Sequence, residues 1–279
     1  MKKKKLIADT ICFLILLIIS LIFITPFLWT FLTSVKPDAE IYTNHMHILP
    51  RTISMEHYQK VFTQMTNFGY YFRNSVTSSF WTVFLVTVLS AGMGYSFAKF
   101  NYRGKNLVFG FVMLVLTLPY IIYLIPIYIM GSRLKIINTV TGLVLPYIAT
   151  NLPMAVFIMR GQFMGIPDTL CEAARLDGCS EWQLFARVVL PCVTPGIATV
   201  IIYTFINVWG EFTYARTLTQ NQLSQTLPVG IVFLQDEAST WAYGTLASVI
   251  TLSLIPVLIM FLSMQKYFVR GIMQGALKG

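Results

Sequence analysis

Long apolar segments alternate with short polar segments along most of this chain of 279 residues. A helix needs roughly 20 mostly apolar residues to cross about 30 Å of hydrocarbon. Six segments approach or exceed that length, and they cover residues 8–32, 72–98, 107–130, 141–159, 193–218 and 243–264. No segment shows the alternating pattern, over roughly ten residues, that is typical of a barrel strand. The pattern therefore predicts an all-α integral membrane protein with about six transmembrane helices.

Composition supports this prediction. Hydrophobic residues make up 56% of the chain, charged residues only 11%, and the mean hydropathy is +0.69. These values lie outside the usual range for soluble domains. The first apolar run follows the letters MKKKK, but it is longer than the core of a secretory signal and no small-residue cleavage site follows it. We interpret it as an uncleaved first span.

The distribution of lysine and arginine predicts the topology. Most of them fall in four segments, at residues 2–5, 99–105, 160–187 and 266–278, which six spans place on one side of the membrane. Because basic residues concentrate on the cytoplasmic side, both termini are expected in the cytoplasm. The net charge of +9 is then explained by topology, and no nucleic-acid partner is expected.

The first outer segment, residues 33–71, is the only long polar stretch and is rich in turn-forming residues, so we interpret it as a cap or docking surface. It holds all three histidines, but no cysteine lies near them and its acids are scattered. Three of the four cysteines lie on the predicted cytoplasmic side at spacings that fit neither a zinc site nor a disulfide framework. The sequence therefore predicts no metal site.

A charged segment between two spans, residues 165–191, has the features of two helices joined by a turn. It reads GIPDTLCEAARLDGCSEWQLFARVVLP. Pro167 is suited to the first helical position and Asp168 to the positive N-terminal end. Gly178 can adopt the left-handed conformation that ends a helix. Ser180 and Gln183 then form a capping-box pattern that starts the second helix.

The first of these helices has a face suited to docking. Leu170, Ala173, Ala174 and Asp177 recur at spacings of three and four, with Glu172 beside them. This predicts a surface of low relief flanked by carboxylates, which suits a groove on a partner protein. A helix-turn-helix that reads DNA is not favoured, because both flanks lead directly into the membrane.

The second predicted helix is expected to run to Leu190 and to end before Pro191. Elsewhere, small residues recur every fourth position in the second span, at Ser90, Gly94 and Ala98. Such spacing lets two helix backbones approach closely in lipid. We interpret this stripe as a helix-packing surface.

The fifth span carries a polar and aromatic stripe formed by Tyr203, Asn207, Glu211 and Tyr214. Polar groups at membrane depth usually face the interior of the bundle and mark a pathway, and aromatic rings beside amides and carboxylates suit a sugar. A second interpretation stays open. Glu211 and Tyr214 would then lie near the outer interface, and Asn207 would bond a neighbouring helix.

The segment EAARLDGCSEWQLFARVVLP resembles the EAA loop of ABC importer permeases, whose pattern is Glu-Ala-Ala, three residues, Gly, and a later Leu-Pro. Together with LPYIIYLIPIYIM, INTVTGLVLPYIA, FIMRGQF and QKYFVRGIMQGALKG, it is similar to the maltose-type second permease subunit of carbohydrate-uptake importers. The resemblance covers about residues 72–279. It implies the type I ABC importer permease fold, with residues 1–71 as a first transmembrane helix and outer loop and residues 72–279 as the core.

The resemblance also implies partners and site residues. The partners are a homologous second permease subunit, an ABC ATPase dimer, an extracytoplasmic solute-binding protein and a sugar substrate, assembled in a bacterial cell membrane. The residues that match the ATPase-docking motif are Glu172, Ala173, Ala174, Leu176, Asp177, Gly178, Leu190 and Pro191. Cys171 stands where an acid is common and Gly210 where Asn is frequent, which leaves details of docking and substrate preference open.

The chain itself is not expected to be an enzyme. It lacks the G-x-x-x-x-G-K-[ST] run that cradles ATP phosphates, so ATP and Mg are expected on partner subunits and no cofactor on this chain. A membrane enzyme would need several ionisable residues at one depth, and apart from Glu211 the spans offer almost none. The alternatives to a sugar importer are an importer of peptides, amino acids or polyamines, and a self-contained carrier.

Overall fold

The computed structural model describes the backbone of residues 2–43, 47–237 and 242–276, and the side chains of residues 9–43, 47–232 and 242–267. Every regular element within these ranges is helical, and no strand occurs among them. The predicted all-α fold is confirmed.

Fourteen α-helices follow one another along the described backbone. In chain order they are α1 Lys2–Ser34, α2 Asp38–Ile41, α3 Glu56–Thr63, α4 Phe68–Lys99, α5 Lys105–Leu114, α6 Leu124–Arg133, α7 Val140–Met164, α8 Asp168–Leu176, α9 Glu181–Gln183, α10 Leu190–Cys192, α11 Thr194–Trp209, α12 Thr213–Leu218, α13 Leu227–Glu237 and α14 Tyr243–Ala276. Three short 3₁₀ helices, Val115–Thr117, Tyr120–Tyr123 and Gln222–Ser224, and a π-helix, Leu184–Val189, complete the set.

Four of the helical segments are long and apolar enough to cross a membrane on their own. They are Asp9–Ser34, Phe68–Lys99, Val140–Met164 and Tyr243–Tyr267. Two further spans are possible if each of two bent pairs counts as one, namely Lys105–Thr117 with Tyr120–Arg133 and Glu181–Cys192 with Thr194–Trp209. The four to six candidate spans agree with the predicted number.

The third predicted span is not one straight helix. The chain bends by 98° between Thr117 and Tyr120. Leu118 there is extended, with φ −97° and ψ 134°, and Pro119 follows it. A proline ring disfavours helical geometry in the preceding residue and supplies no N–H of its own. Pro119 therefore turns an apolar run of sufficient length into two shorter helices.

The fifth predicted span also differs from a continuous helix over residues 193–218. The helix α11 ends at Trp209, and α12 begins only at Thr213. Gly210 lies at the break, and glycine is a poor helix former. At the other end, the chain bends by 76° between Cys192 and Thr194.

The second helix of the charged segment is a π-helix for most of its length, and it continues to Cys192 instead of ending before Pro191. Pro191 has no N–H, so the α-helical bond to the carbonyl of Arg187 cannot form. A π-helix, with its wider hydrogen-bonded turns, carries the chain through this region.

Contacts within the chain form two compact units, Met1–Phe68 with Ile231–Ile255 and Gly69–Gly230 with Pro256–Gly279. In the first unit, the buried ring of His57 lies so close to Gly244 that a Cβ atom there would clash with it. In the second unit, a buried apolar cluster draws on α4, α7, α8, the π-helix and α11. It includes Val86, Ala155, Met159, Phe163, Leu184, Val189 and Val200.

The small-residue stripe of α4 is a packing surface, as predicted. A Cβ atom on Gly94 would lie 2.6 Å from the Cβ of Met159 and 2.9 Å from the backbone nitrogen of Arg160, both on α7. By contrast, a Cβ atom on Gly92 would meet no atom within 4 Å. Gly94 therefore sets the distance between α4 and α7.

We expect Gly94→Ala to lower the thermal stability of the detergent-solubilised protein. Forcing a methyl group into a packed contact costs about 1–3 kcal/mol, which exceeds the gain of about 1 kcal/mol in helix propensity. Gly92→Ala is the matched control, because it makes the same change on the same helix in open space. The unfolding temperatures of both variants test this, and an equal effect of the two would contradict the close approach.

Candidate functional site

The charged segment folds locally as its residues predict. The helix α8 ends at Leu176, and Gly178 follows with φ +83°. The capping box is present, with the Gln183 backbone N–H donating to Ser180 Oγ at 3.3 Å and the Ser180 N–H donating to Gln183 Oε1 at 2.9 Å. Pro167 lies immediately before the helix, one position earlier than predicted.

One side of α8 is buried in the chain's own apolar core. Cys171 and Ala174 are 4% and 7% exposed and belong to the apolar cluster that also holds Leu184 and Val189. The sequence pattern predicts that Ala174 lies on the docking face, and this prediction is wrong. Its side chain instead points inward, because the interior of the chain takes up this side of the amphipathic helix.

The other side of α8 is open. Leu170, Glu172, Ala173, Asp177 and Gly178 are all exposed. Leu176 is the extreme case, with 89% of its surface exposed. Of the two remaining predicted docking residues, Leu190 is half-buried and Pro191 is exposed.

Trp182 also faces outward, with 73% of its surface exposed, and its ring lies 5.7 Å from that of Phe185. The sequence analysis missed it, although a tryptophan in the first turn of a short polar helix was a visible signal. Trp182 joins Leu170 and Leu176 as a large apolar side chain that the charged segment leaves exposed.

Ion pairs tie α8 to its neighbours. Lys99 at the end of α4 donates to the Asp168 carboxylate and to the Ile166 carbonyl, both at 2.6 Å. The hydrogen bond from Lys99 to the Asp168 carboxylate lowers the pKa of Asp168. Arg175 donates to Glu181 at 2.8 Å, which raises the pKa of the arginine and lowers that of the glutamate. Asp168 and Glu181 therefore stay ionised at neutral pH, and the two pairs link α8 to α4 and to α9.

All four residues of the predicted polar stripe line one cavity of about 470 Å³. Tyr203 and Asn207 lie on α11, Glu211 lies at the break, and Tyr214 lies on α12. The other lining residues come from the bent third span, from α7, from the break itself and from the start of α12. They are Tyr120, Tyr147, Thr150, Asn151, Gly210, Phe212 and Thr213.

Glu211 holds this cavity together. Its carboxylate accepts hydrogen bonds from the Tyr147 hydroxyl at 2.8 Å, the Tyr214 N–H at 2.8 Å and the Ala215 N–H at 2.9 Å. It therefore caps the first turn of α12, where free N–H groups attract a negative charge. The Tyr214 hydroxyl donates in turn to the Tyr120 carbonyl at 2.7 Å.

The sequence analysis missed Tyr120 and Tyr147 as members of this site. Both lie far from Glu211 along the chain, and nothing in their local patterns distinguishes them from other span tyrosines. Glu211 and Tyr214 are largely committed to contacts within the chain. Asn207 is exposed, so the cavity presents an amide and several aromatic edges to a ligand.

One acidic cluster of the first unit has the composition of a metal site. Ligand atoms of Asp38, Glu56 and His57 lie within 4.8 Å of one another. Lys60 already pairs with Asp38 at 2.8 Å, and His57 Nε2 lies 2.8 Å from the Lys36 carbonyl oxygen. The hydrogen bond to Asp38 raises the pKa of Lys60. These are the contacts of an internal ion-pair network, and we assign no metal to them.

Comparison with known proteins agrees with this architecture. The model of the family described as "Binding-protein-dependent transport system inner membrane component" matches residues 87–274. A putative ABC transporter permease protein of Caldicellulosiruptor sp. is 34% identical over 271 residues, which is 96% of each chain. The arabinooligosaccharides transport system permease protein AraQ of Halalkalibacterium halodurans is 30% identical over 263 residues, or 94% of this chain and 93% of that protein.

Among solved structures, the fold matches a chain from the crystal structure of a bacterial ABC transporter involved in the import of the acidic polysaccharide alginate. The TM-score is 0.79 with 21% sequence identity, and the match covers 94% of this chain and 96% of the other. The predicted importer permease fold is thereby confirmed. The chain belongs to the family of binding-protein-dependent transport system inner membrane components.

Proposed function

We propose that this chain is the permease subunit of an ATP-driven carbohydrate importer in a bacterial cell membrane. A solute-binding protein delivers the sugar on the outer side, and a homologous second permease completes the pathway. An ATPase dimer, which binds ATP and Mg, docks on residues 165–191 from the cytoplasm. Both termini are cytoplasmic, because the basic segments then lie on the inner side. The observation that carries the coupling part is that α8 is buried in the chain's own core on one side and exposed on the other.

A helix that transmits force needs a face for the partner and a rigid attachment to the membrane domain. The exposed Leu176 lies on the face for the partner, and the buried Cys171 and Ala174 attach the helix to the membrane domain. The Lys99–Asp168 pair adds a direct link to the end of α4. A displacement of α8 by the ATPase would therefore move the attached spans as a body, as alternating access requires.

The substrate assignment rests on the relatives and on the cavity chemistry. One relative is named for the transport of arabinooligosaccharides, and the matching solved structure is that of a transporter involved in the import of alginate. The cavity of about 470 Å³ falls in the usual size range of small-molecule sites. Its tyrosine rings suit the apolar faces of a sugar, and Asn207, Thr150 and Asn151 suit its hydroxyls.

We expect Leu176→Asp and Gly178→Asp to abolish transport and to release the ATPase, while the second permease stays bound. Truncating an anchor at such a surface typically costs about 2 kcal/mol or more, and Gly178 has a backbone conformation that L-residues rarely adopt. Affinity purification in mild detergent, with partners identified by mass, measures the release. Sugar uptake by cells measures transport.

The control for Leu176→Asp is Ile53→Asp in the outer segment, which is 75% exposed. It introduces the same charge on an exposed apolar residue away from α8 and should keep the ATPase. Retention of the ATPase by both α8 variants would rule out the docking role.

We expect Asn207→Ala to slow uptake by about 2- to 10-fold, because one hydrogen bond to the substrate is worth about 0.5–1.5 kcal/mol. Subunit assembly should be unchanged. Ile206→Ala is the control, since Ile206 is adjacent and 59% exposed but does not line the cavity. Initial uptake rates of radiolabelled sugar at low concentration measure the effect. Equal rates for wild type and Asn207→Ala would exclude this cavity from the pathway.

A further inference from the structure

A second cavity, of about 490 Å³, lies within the first compact unit. Trp29 and Thr33 line it from α1, and Tyr243 and Ile250 line it from α14. The candidate span on α1 ends at Ser34, and the one on α14 begins at Tyr243. Tryptophan and tyrosine concentrate at the depth where hydrocarbon meets headgroups. The cavity therefore lies at the membrane interface.

The cavity contains a buried cation. Lys36 is only 5% exposed. Its Nζ lies 5.3 Å from the centre of the Trp29 ring and donates to the His47 carbonyl oxygen. No ion pair joins it to a carboxylate in the part of the chain that the structure describes. An ammonium group has three N–H donors, and a buried charge is costly without a counter-charge. The site is therefore suited to an anionic group.

The same cavity holds one carboxylate. Glu40 lines it and accepts hydrogen bonds from the Arg51 N–H at 2.9 Å, the Thr52 N–H at 3.0 Å and the Thr52 hydroxyl at 2.8 Å. These bonds lower the pKa of Glu40, so it stays ionised. Lys36 and Glu40 do not pair with each other. The cavity thus offers one positive and one negative group at separate positions.

The walls are fixed without a ligand. The Tyr243 N–H donates to the Tyr42 hydroxyl at 3.1 Å, and the two rings lie 6.1 Å apart. The Ser248 hydroxyl donates to the Ser34 carbonyl at 3.3 Å. A preformed site binds with little loss of conformational entropy.

We propose that this cavity binds the headgroup of a zwitterionic phospholipid that carries a free amine. The phosphate contacts Lys36 and the Thr33 hydroxyl, and the amine faces Glu40. The preceding turns of α1 expose Phe23 and Phe27 at 71% and 56%, which provides a surface for the acyl chains. A soluble phosphate would make no use of that surface. The site requires no transport activity and is independent of the proposed function.

Native mass spectrometry of the detergent-purified complex tests the proposal. After delipidation, the sample is titrated with phosphatidylethanolamine, with phosphatidylglycerol or with inorganic phosphate. We expect Lys36→Gln to weaken phosphatidylethanolamine binding by about tenfold, the effect of one charge-assisted hydrogen bond. Lys266→Gln is the matched control. The Lys266 Nζ also lies over an aromatic ring, 4.9 Å from the centre of the Tyr267 ring, but Lys266 does not line this cavity.

Two more variants separate binding from folding. Lys36→Arg keeps the charge and should retain the lipid, whereas Thr33→Val removes only a hydroxyl and should weaken binding. Equal binding by wild type and Lys36→Gln overturns the proposal, as does a wild-type complex that takes up no lipid. Displacement of the lipid by inorganic phosphate would show a small-anion site instead. If phosphatidylglycerol bound as tightly as phosphatidylethanolamine, Glu40 would not recognise the amine, and the assignment of a zwitterionic headgroup would be overturned.

Discussion

In hydrocarbon, every backbone N–H and C=O group must find a partner within the protein, because no water is available. The breaks in the spans of this chain must satisfy that requirement locally. At the break after α11, the Glu211 carboxylate accepts hydrogen bonds from the backbone N–H groups of Tyr214 and Ala215, which have no partner within α12. The same carboxylate accepts a hydrogen bond from the hydroxyl of Tyr147 on α7. One side chain thus makes an interrupted helix tolerable and also fixes one wall of the cavity.

The interrupted spans therefore serve the site. Pro119 bends the third span so that Tyr120 lines the cavity with Tyr203 and Asn207. Irregular backbone at membrane depth is tolerated where it is buried in protein or lines a cavity, and this chain follows that rule. In the proposed importer, these breaks are where a sugar passes.

The charged segment and the cavity around Lys36 depend on different kinds of contact. At the charged segment, apolar burial of Cys171 and Ala174 and the Lys99–Asp168 pair join α8 to the spans, so movement of one carries the other. Near the C-terminal end of α1, a preformed cavity holds the separate charges of Lys36 and Glu40. The proposed lipid would contact the ends of α1 and α14 without taking part in coupling.

Sequence alone determined the all-α class, the turn at Gly178 and its capping box, and it predicted about six spans and placed Tyr203 and Asn207 on one helical stripe. These features depend on neighbouring residues, through hydrophobic length, helical spacing and local hydrogen bonds. Only the tertiary structure decided the inward orientation of Ala174, the place of Tyr147 beside Glu211 and the burial of Lys36 beside Trp29. Each depends on which distant segments pack together, and local pattern does not encode that.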